Sequence, residues 1–285
     1  MIVKGINTAP IKQGDHLFLM SFKVKDANDS DRLFYMQITT LVDFLTILRN
    51  RVLRVSERIL ANGDIYKKKA QVDIESLASN IPEIIPAEVM QPNPGNLVTS
   101  IAPKFKDDTF SLIVILQNEK VLTLEINDTQ VEFIIMAIQK AIETIDDKDT
   151  MLIISSLVDF LLIYSVDLSN LQYLNYKEIK HEIWKQHLFS DYLEVIYCFE
   201  TEKGKEILAG TIIKTNAQPE SQEIESIVKR IAHLTPMLKA LLETYPLYQT
   251  FYQRIPALPA QILTKEDCLN SLYNFCLKTQ DTLQR

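Results

Sequence analysis

Runs of alternating apolar and polar residues occur at three places along the chain, and a helical pattern follows each of them. The first pair of runs covers 16–25 (HLFLMSFKVK) and 32–38 (RLFYMQI), with the polar segment DANDSD between them. Two runs of β-forming residues around a short polar loop predict a hairpin. From Leu41 to Val55 the apolar positions follow helical spacing, and Thr39 or Thr40 is the expected N-cap.

The same order of elements returns twice. Strands are predicted in FSLIVILQ and VLTLEI around NEK, with Asn127 or Asp128 capping a helix in QVEFIIMAIQKAIETI. Strands are then predicted in YLEVIYCF and ILAGTIIKT around TEKGKE, before a helix that begins near PESQ. Hairpins make antiparallel sheets, and a following helix covers one face. The predicted class is therefore α+β, built from hairpin-then-helix units. The shared phrases VDFLTIL and VEFIIMA leave open whether the units are true repeats.

Proline-rich stretches and one long apolar run divide the chain into expected segments. Prolines cluster in NIPEIIPAEVMQPNPGN and again at Pro246, Pro256 and Pro259, where they predict irregular crossings. A last helix is expected from Thr264, with Asp267 completing a capping pair. The expected segments are 1–80, a first unit; 81–149, a crossing and a second unit; 150–245, an apolar helix and a third unit; and 246–285, a linker and a C-terminal helix.

The longest apolar run, MLIISSLVDFLLIYSV at 151–166, predicts a helix that is buried on most sides. A membrane span needs about 20 such residues, and this run also carries Asp159. No membrane association is therefore expected. The sequence also shows no signal-peptide pattern at its start, and its three cysteines have no framework spacing, so a cytoplasmic protein is expected.

Composition limits the functions further. The 285 residues are 47% hydrophobic and 24% charged, which is typical of a globular protein. Only six glycines are present, and no GxGxxG, GxxxxGK[ST] or GxSxG motif occurs, so nucleotide-binding and hydrolase motifs are missing. The net charge of −7 disfavours a dominant nucleic-acid role.

The stretch KHEIWKQHLFSDYLEVIYC, at 180–198, has the residue types most suited to chemistry. His181 and His187 are six positions apart, so on a helix their rings point about 120° apart and cannot readily share a metal ion. No metal site or cofactor is predicted. Trp184 and His187 are expected to pack at the core or its rim. The alternative is a ligand pocket formed by Trp184, His187 and Asp159.

Asp159 lies inside the most apolar run, so its carboxylate must be paired, hydrogen-bonded or neutral if it is buried. A structural hydrogen bond or a partly exposed edge position is the favoured interpretation, and a functional carboxylate is the alternative. No catalytic residue is identified, because the cysteines occupy apolar patterns typical of inert packing residues.

A basic segment runs from Arg49 to Ala70 and contains seven basic and two acidic residues. Arg51, Arg54 and Arg58 fall within about 60° of one another around a helix. A solvated helix face is the simplest interpretation. Contact with an acidic partner protein is the functional alternative, and nucleic acid is the less favoured one, because interleaved exposed aromatic residues are missing.

Several phrases are similar to the YjeJ family of enterobacterial proteins, and they occur in the same order over nearly the whole chain. They are GINT, LFYM, NIPEI, SSLVDFLLIYSVD, Trp184 with HLFSDYL, GKE, IIKT, EIESI and DCLNSL. The resemblance implies a bacterial cytoplasmic protein and carries over no catalytic residue. The function expected from the sequence is binding or assembly without catalysis. The expected contact is with an acidic surface of a partner protein or with another copy of the chain. The alternatives are an enzyme or ligand-binding protein, and a nucleic-acid accessory factor that uses residues 49–70.

Overall fold

The computed structural model describes residues 1–218, 221–258 and 260–283, and the chain divides into two compact units. The first unit covers residues 1–158, and the second begins at Asp159. Pro219 and Glu220, near the expected start of the third unit's helix, lie outside the described residues, as does Pro259 of the expected C-terminal linker.

The first unit contains two three-stranded antiparallel sheets, in the orders β1-β2-β3 and β4-β5-β6. Its strands are β1 (Val3–Gln13), β2 (His16–Asp26), β3 (Asp31–Met36), β4 (Val98–Phe105), β5 (Thr109–Leu116) and β6 (Val121–Asn127). Its helices are α1 (Ile38–Asn62), α2 (Asp64–Ala78), α3 (Pro86–Met90), α4 (Val131–Glu143) and α5 (Lys148–Asp159), which ends at the first residue of the second unit.

The two sheets of the first unit are halves of a repeating plan, a three-stranded meander followed by a helix. Single parallel bridges join them at both margins: Tyr35 of β3 pairs with Leu97, and Glu125 of β6 pairs with Ile2. The last strand of each half therefore meets the start of the other half. The helices differ, because α1 has 25 residues whereas α4 has 13.

The core of the first half is aromatic. Phe22 stacks on Phe34 with ring centroids 5.5 Å apart, and Phe44 of α1 meets Phe22 edge-on at 5.7 Å. These rings lie on alternate strand positions and on the apolar stripe of α1, as the hydrophobic pattern predicted.

The second unit has one five-stranded antiparallel sheet in the order β11-β9-β10-β7-β8. Its elements are β7 (Phe160–Asp167), β8 (Asn175–Glu178), α6 (Ile183–Gln186), β9 (Asp191–Thr201), β10 (Gly204–Thr215), α7 (Gln222–Leu234), α8 (Pro236–Thr244), β11 (Leu247–Ile255) and α9 (Lys265–Leu283). On one face, residues of β9 and β10 pack with α7 and α8. The other face meets α9, where a Cβ added at Gly210 would lie only 3.0 Å from Leu272.

The α+β class and the three predicted hairpins are confirmed, and several local predictions are corrected. Helix α1 begins at Ile38 with Gln37 as N-cap, so Thr39 and Thr40 lie in its first turn. The run 151–166 is not one helix: α5 ends at Asp159 and β7 follows at once. The predicted C-terminal linker contains the nine-residue strand β11. The Thr264–Asp267 capping pair is confirmed, because each backbone N–H of the pair bonds to the other side chain, at 3.2 and 3.1 Å.

Candidate interaction surface and buried polar clusters

Two of the three candidate arginines, Arg51 and Arg58, bind a single buried carboxylate. Arg51 on α1 donates from Nε and Nη2 to the two oxygens of Asp128, at 2.6 and 2.5 Å. Arg58, two turns further on, donates to Asp128 at 2.6 Å and also pairs with Asp108 at 3.0 Å. Asp128 itself lies just after β6, in a short 3-10 helix, and is 1% exposed.

The Asp128 cluster fixes α1 to the second half of the first unit. Arg51 also donates to the backbone carbonyls of Lys106 and Asp107, at 3.2 and 3.0 Å. A buried guanidinium needs acceptors of this kind, because each donor left without a partner would cost free energy. The three candidate arginines therefore do not form one exposed stripe. Only Arg54 is exposed, and it pairs with Glu57 at 3.1 Å.

Beyond Arg51, α1 and the start of α2 form a helical hairpin on which four large apolar side chains are exposed. We refer to residues 52–72 as the hairpin tip. Tyr66 is the only buried residue there, and Gly63 makes the connection with a positive φ of 59°. Leu60 is 87% exposed and Ile65 is 82% exposed. Leu60 and Ile65 therefore lie outside the buried core of this unit.

The exposed apolar residues of the hairpin tip are spaced in heptads. Leu53 and Leu60 are seven positions apart on α1, and Ile65 and Val72 are seven apart on α2. A seven-residue spacing places each pair on one helix face. The exposed charges around them are Arg54, Lys67, Lys68 and Lys69 against Glu57 and Asp64. The exposed part of the hairpin tip is thus apolar with a net basic rim.

In the second unit, the structure places Trp184 and His187 at the surface side of a short helix. His187 is exposed and Trp184 is half-buried. The indole N–H of Trp184 donates to the carboxylate of Glu182, and Lys185 Nζ lies 5.5 Å from the Trp184 ring centroid. Trp184 therefore lies at the surface with part of its ring covered, whereas His187 is open to solvent.

Asp159 has a partner elsewhere in the second unit. Its Oδ2 lies 2.6 Å from Nη2 of Arg230 on α7, and both side chains are largely buried. Its backbone carbonyl accepts a hydrogen bond from Thr215 Oγ1 at 3.0 Å. The carboxylate therefore forms an ion pair with α7, and the backbone carbonyl of the same residue bonds to the end of β10.

Glu194, in the middle of β9, is a buried carboxyl group that the sequence did not single out. Its Oε1 accepts hydrogen bonds from Gln253 of β11 at 2.5 Å and from Ser271 of α9 at 3.2 Å. Its Oε2 has no hydrogen-bond partner among the described residues. Burial raises the pKa of Glu194, and the hydrogen bonds oppose that shift. The sequence pattern of YLEVIYCF does not indicate that Glu194 is buried, because a polar residue in an alternating strand is expected on an exposed face, and both faces of β9 are buried.

Lys214 of β10 is a second buried charge that the sequence did not single out, and it is 1% exposed. Its Nζ donates to the carbonyl of Gln186 at 2.7 Å and lies 4.7 Å from the ring centroid of Tyr192. Burial lowers the pKa of Lys214, and the nearby Asp191 opposes the shift. The lysine thus binds the C-terminal end of α6 from the sheet.

The cysteines behave as packing residues. Cys198, Cys268 and Cys276 are all buried and form no disulfide. Burial raises the pKa of Cys268 to about 12 and that of Cys276 to about 11. A thiol with such a pKa is protonated at neutral pH and is a poor nucleophile.

Two open grooves, one in each unit, lie away from these clusters. A groove of about 340 Å³ runs between β1 and α4, where Met136 and Lys140 line it. Another of about 430 Å³ lies beside the 168–172 loop and the end of α9. Neither groove is lined by Trp184, His187 or Asp159.

Among the described residues, no helix has the length and apolarity needed to cross a membrane. The same part of the chain has no group of three or more His, Cys, Asp or Glu side chains placed to hold a metal ion.

The fold and these sites define an α+β protein with a helical hairpin and buried polar clusters. The chain belongs to the YjeJ-like family, whose model matches residues 1–282. It is 30% identical over 281 residues to a protein of Escherichia coli (strain K12) described as "Uncharacterized protein YjeJ". The match covers 98% of this chain and 96% of that relative. No solved structure matches the chain.

Proposed function

We propose that this protein is a non-catalytic binding protein, and that its hairpin tip binds an amphipathic helix of an acidic partner protein. The observation that carries the proposal is the exposure of Leu60 and Ile65, at 87% and 82%, on the two sides of Gly63. Large apolar side chains clustered at a surface mark interaction sites more often than single exposed ones do.

The spacing of the apolar residues supports a helix as the bound element. Two helices with apolar residues at heptad positions present a seam, and a third helix buries its own apolar face in such a seam. Because α1 extends well past its buried part, the fold of the first unit gives no other reason for apolar side chains at these positions.

The charges around the seam support an acidic partner. Arg54 and the three lysines of α2 outnumber Glu57 and Asp64 at the exposed positions. Oppositely charged rims speed association and select partners. Nucleic acid is less well supported, because Arg51 is buried and both Arg51 and Arg58 donate to Asp128. The pocket alternative gains no support either, since Asp159 pairs with Arg230 and Trp184 with Glu182.

The proposal is tested with a double variant and a matched control. Leu60→Glu with Ile65→Glu removes the apolar seam, whereas Met90→Glu changes an 80% exposed apolar residue of α3 in the same unit. Proteins captured from a bacterial lysate are identified and purified, and their binding to each variant is measured by titration calorimetry.

The proposal requires a protein that binds the wild type and Met90→Glu alike but loses at least tenfold in affinity, about 1.4 kcal/mol, with the double variant. A synthetic helical peptide from that protein should compete for binding. Capture of nucleic acid alone, or of proteins that do not distinguish the variants, would count against it.

A further inference from the structure

We propose that a second copy of this chain pairs with the free edge of β11, so that two five-stranded sheets join into one across a two-fold axis. This surface lies in the second unit and is independent of the hairpin tip. Strand β11 is the last strand of its sheet and has β9 as its only strand neighbour among the described residues.

An edge strand offers a row of backbone donors and acceptors, and proteins usually guard such edges with charges, prolines or short length. The opposite edge strand, β8, is guarded in this way: it has four residues, and Lys177 and Glu178 are two of them. In contrast, β11 has nine residues, no internal proline and one charge, Arg254, which pairs with Asp191 at 3.2 Å. Its single irregularity lies between Leu247 and Gln249, so the strand is regular from Gln249 onward.

The sequence of β11 identifies the partner as another β11. In its regular part, QTFYQ at 249–253, a glutamine lies two positions on either side of Phe251. In an antiparallel pair centred there, Gln249 faces Gln253 of the second copy, and Thr250 faces Tyr252. Both are favourable cross-strand pairs: amide with amide, and β-branched with aromatic.

The side chains at this edge are also accessible. Eight of the nine residues of β11 are partly or fully exposed, whereas β9 beside it is mostly buried. Since antiparallel pairing keeps residues of one sheet face together, Phe251 and its copy would meet on the face that bears Gln249 and Gln253.

Cysteine crosslinking tests both the contact and its register. In the proposed pair, position 251 faces itself, so Phe251→Cys should form a disulfide-linked dimer under mild oxidation. Gln249→Cys is the matched control: the two copies of residue 249 would lie about 14 Å apart along the strands, beyond the reach of a disulfide. The native cysteines are all buried, so they should add little background.

Sedimentation velocity on the full chain tests the association first with the wild type and then with two substitutions. The wild type should sediment as a dimer in a concentration-dependent way. Thr250→Lys, which places two ammonium groups beside the axis, should weaken the dimer at least tenfold, whereas Asn175→Lys on β8 should not. A wild type that stays monomeric at every concentration, or equal crosslinking at positions 249 and 251, would overturn the proposal.

Discussion

Arg51 and Asp128 are 77 positions apart in the chain, yet the Arg51 guanidinium donates hydrogen bonds to both carboxylate oxygens of Asp128 in the interior of the first unit. The pair joins α1, which follows the first meander, to the 3-10 helix that follows the second. It therefore links the two halves at the base of the hairpin tip.

Asp128→Ala should destabilise the first unit by about 3–5 kcal/mol, because it leaves the buried Arg51 without its counter-charge. Arg54→Ala should change stability by less than about 1 kcal/mol, since exposed ion pairs contribute little. Urea unfolding of both variants measures the difference. Equal effects of the two substitutions would show that the Asp128 pair does not hold α1 in place.

The sequence predicted the class and the hairpins because alternation and turn residues are local signals. It did not reveal that Arg51 and Asp128 meet, since their pairing depends on how the two halves are joined. It also missed β1, β4 and β11, whose mixed polar and apolar residues, or neighbouring prolines, weaken the strand pattern. The helix predicted across Asp159 was wrong because a buried strand and a buried helix segment share the same continuous apolar run.

Gly5 provides a test of packing between two distant segments. A Cβ at this position would lie 1.8 Å from the backbone oxygen of Asn80, and the adjacent Asn7 donates to the carbonyl of Pro82 at 2.8 Å. Gly5→Ala should therefore force the chain at residue 80 to move and cost about 2 kcal/mol or more.

The control for Gly5→Ala is Gly14→Ala. Gly14 has open space around its Cα and a positive φ of 64°, so this change should cost only about 1 kcal/mol of backbone strain. Thermal unfolding of both variants measures the effect. A Gly5→Ala protein as stable as the Gly14→Ala protein would exclude the close approach at Asn80.

The raised pKa of Glu194 should make the stability of the second unit depend on pH. Because burial raises its pKa above the ordinary 4.5, the folded state holds this proton more tightly than the unfolded state does. The stabilising effect of this tightly held proton is present below about pH 4.5. It is lost as the pH rises through the raised pKa of the folded state. Glu194→Gln should remove this decline, whereas the exposed Glu202→Gln should keep it. Melting temperatures over a pH series decide between these outcomes.

The lowered pKa of Asp147 should give the stability of the first unit the opposite dependence on pH. Hydrogen bonds from Thr150 and from the backbone of Leu17 lower the pKa of Asp147 from 3.8 to about 2. Its contribution is therefore present above pH 3.8 and is lost as the pH falls towards 2. Asp147→Asn should flatten the acid side of the stability curve. The partner His16 is mostly exposed, so His16→Ala should have the smaller effect.

The central claim is that the hairpin tip is a binding surface, and site-specific photo-crosslinking in cells tests it most directly. A photoreactive amino acid is placed at position 60 or 65, and at position 90 as the exposed control. The account predicts one discrete protein adduct from positions 60 and 65 that is missing from position 90. No adduct at the hairpin tip, or the same adducts from all three positions, would contradict it.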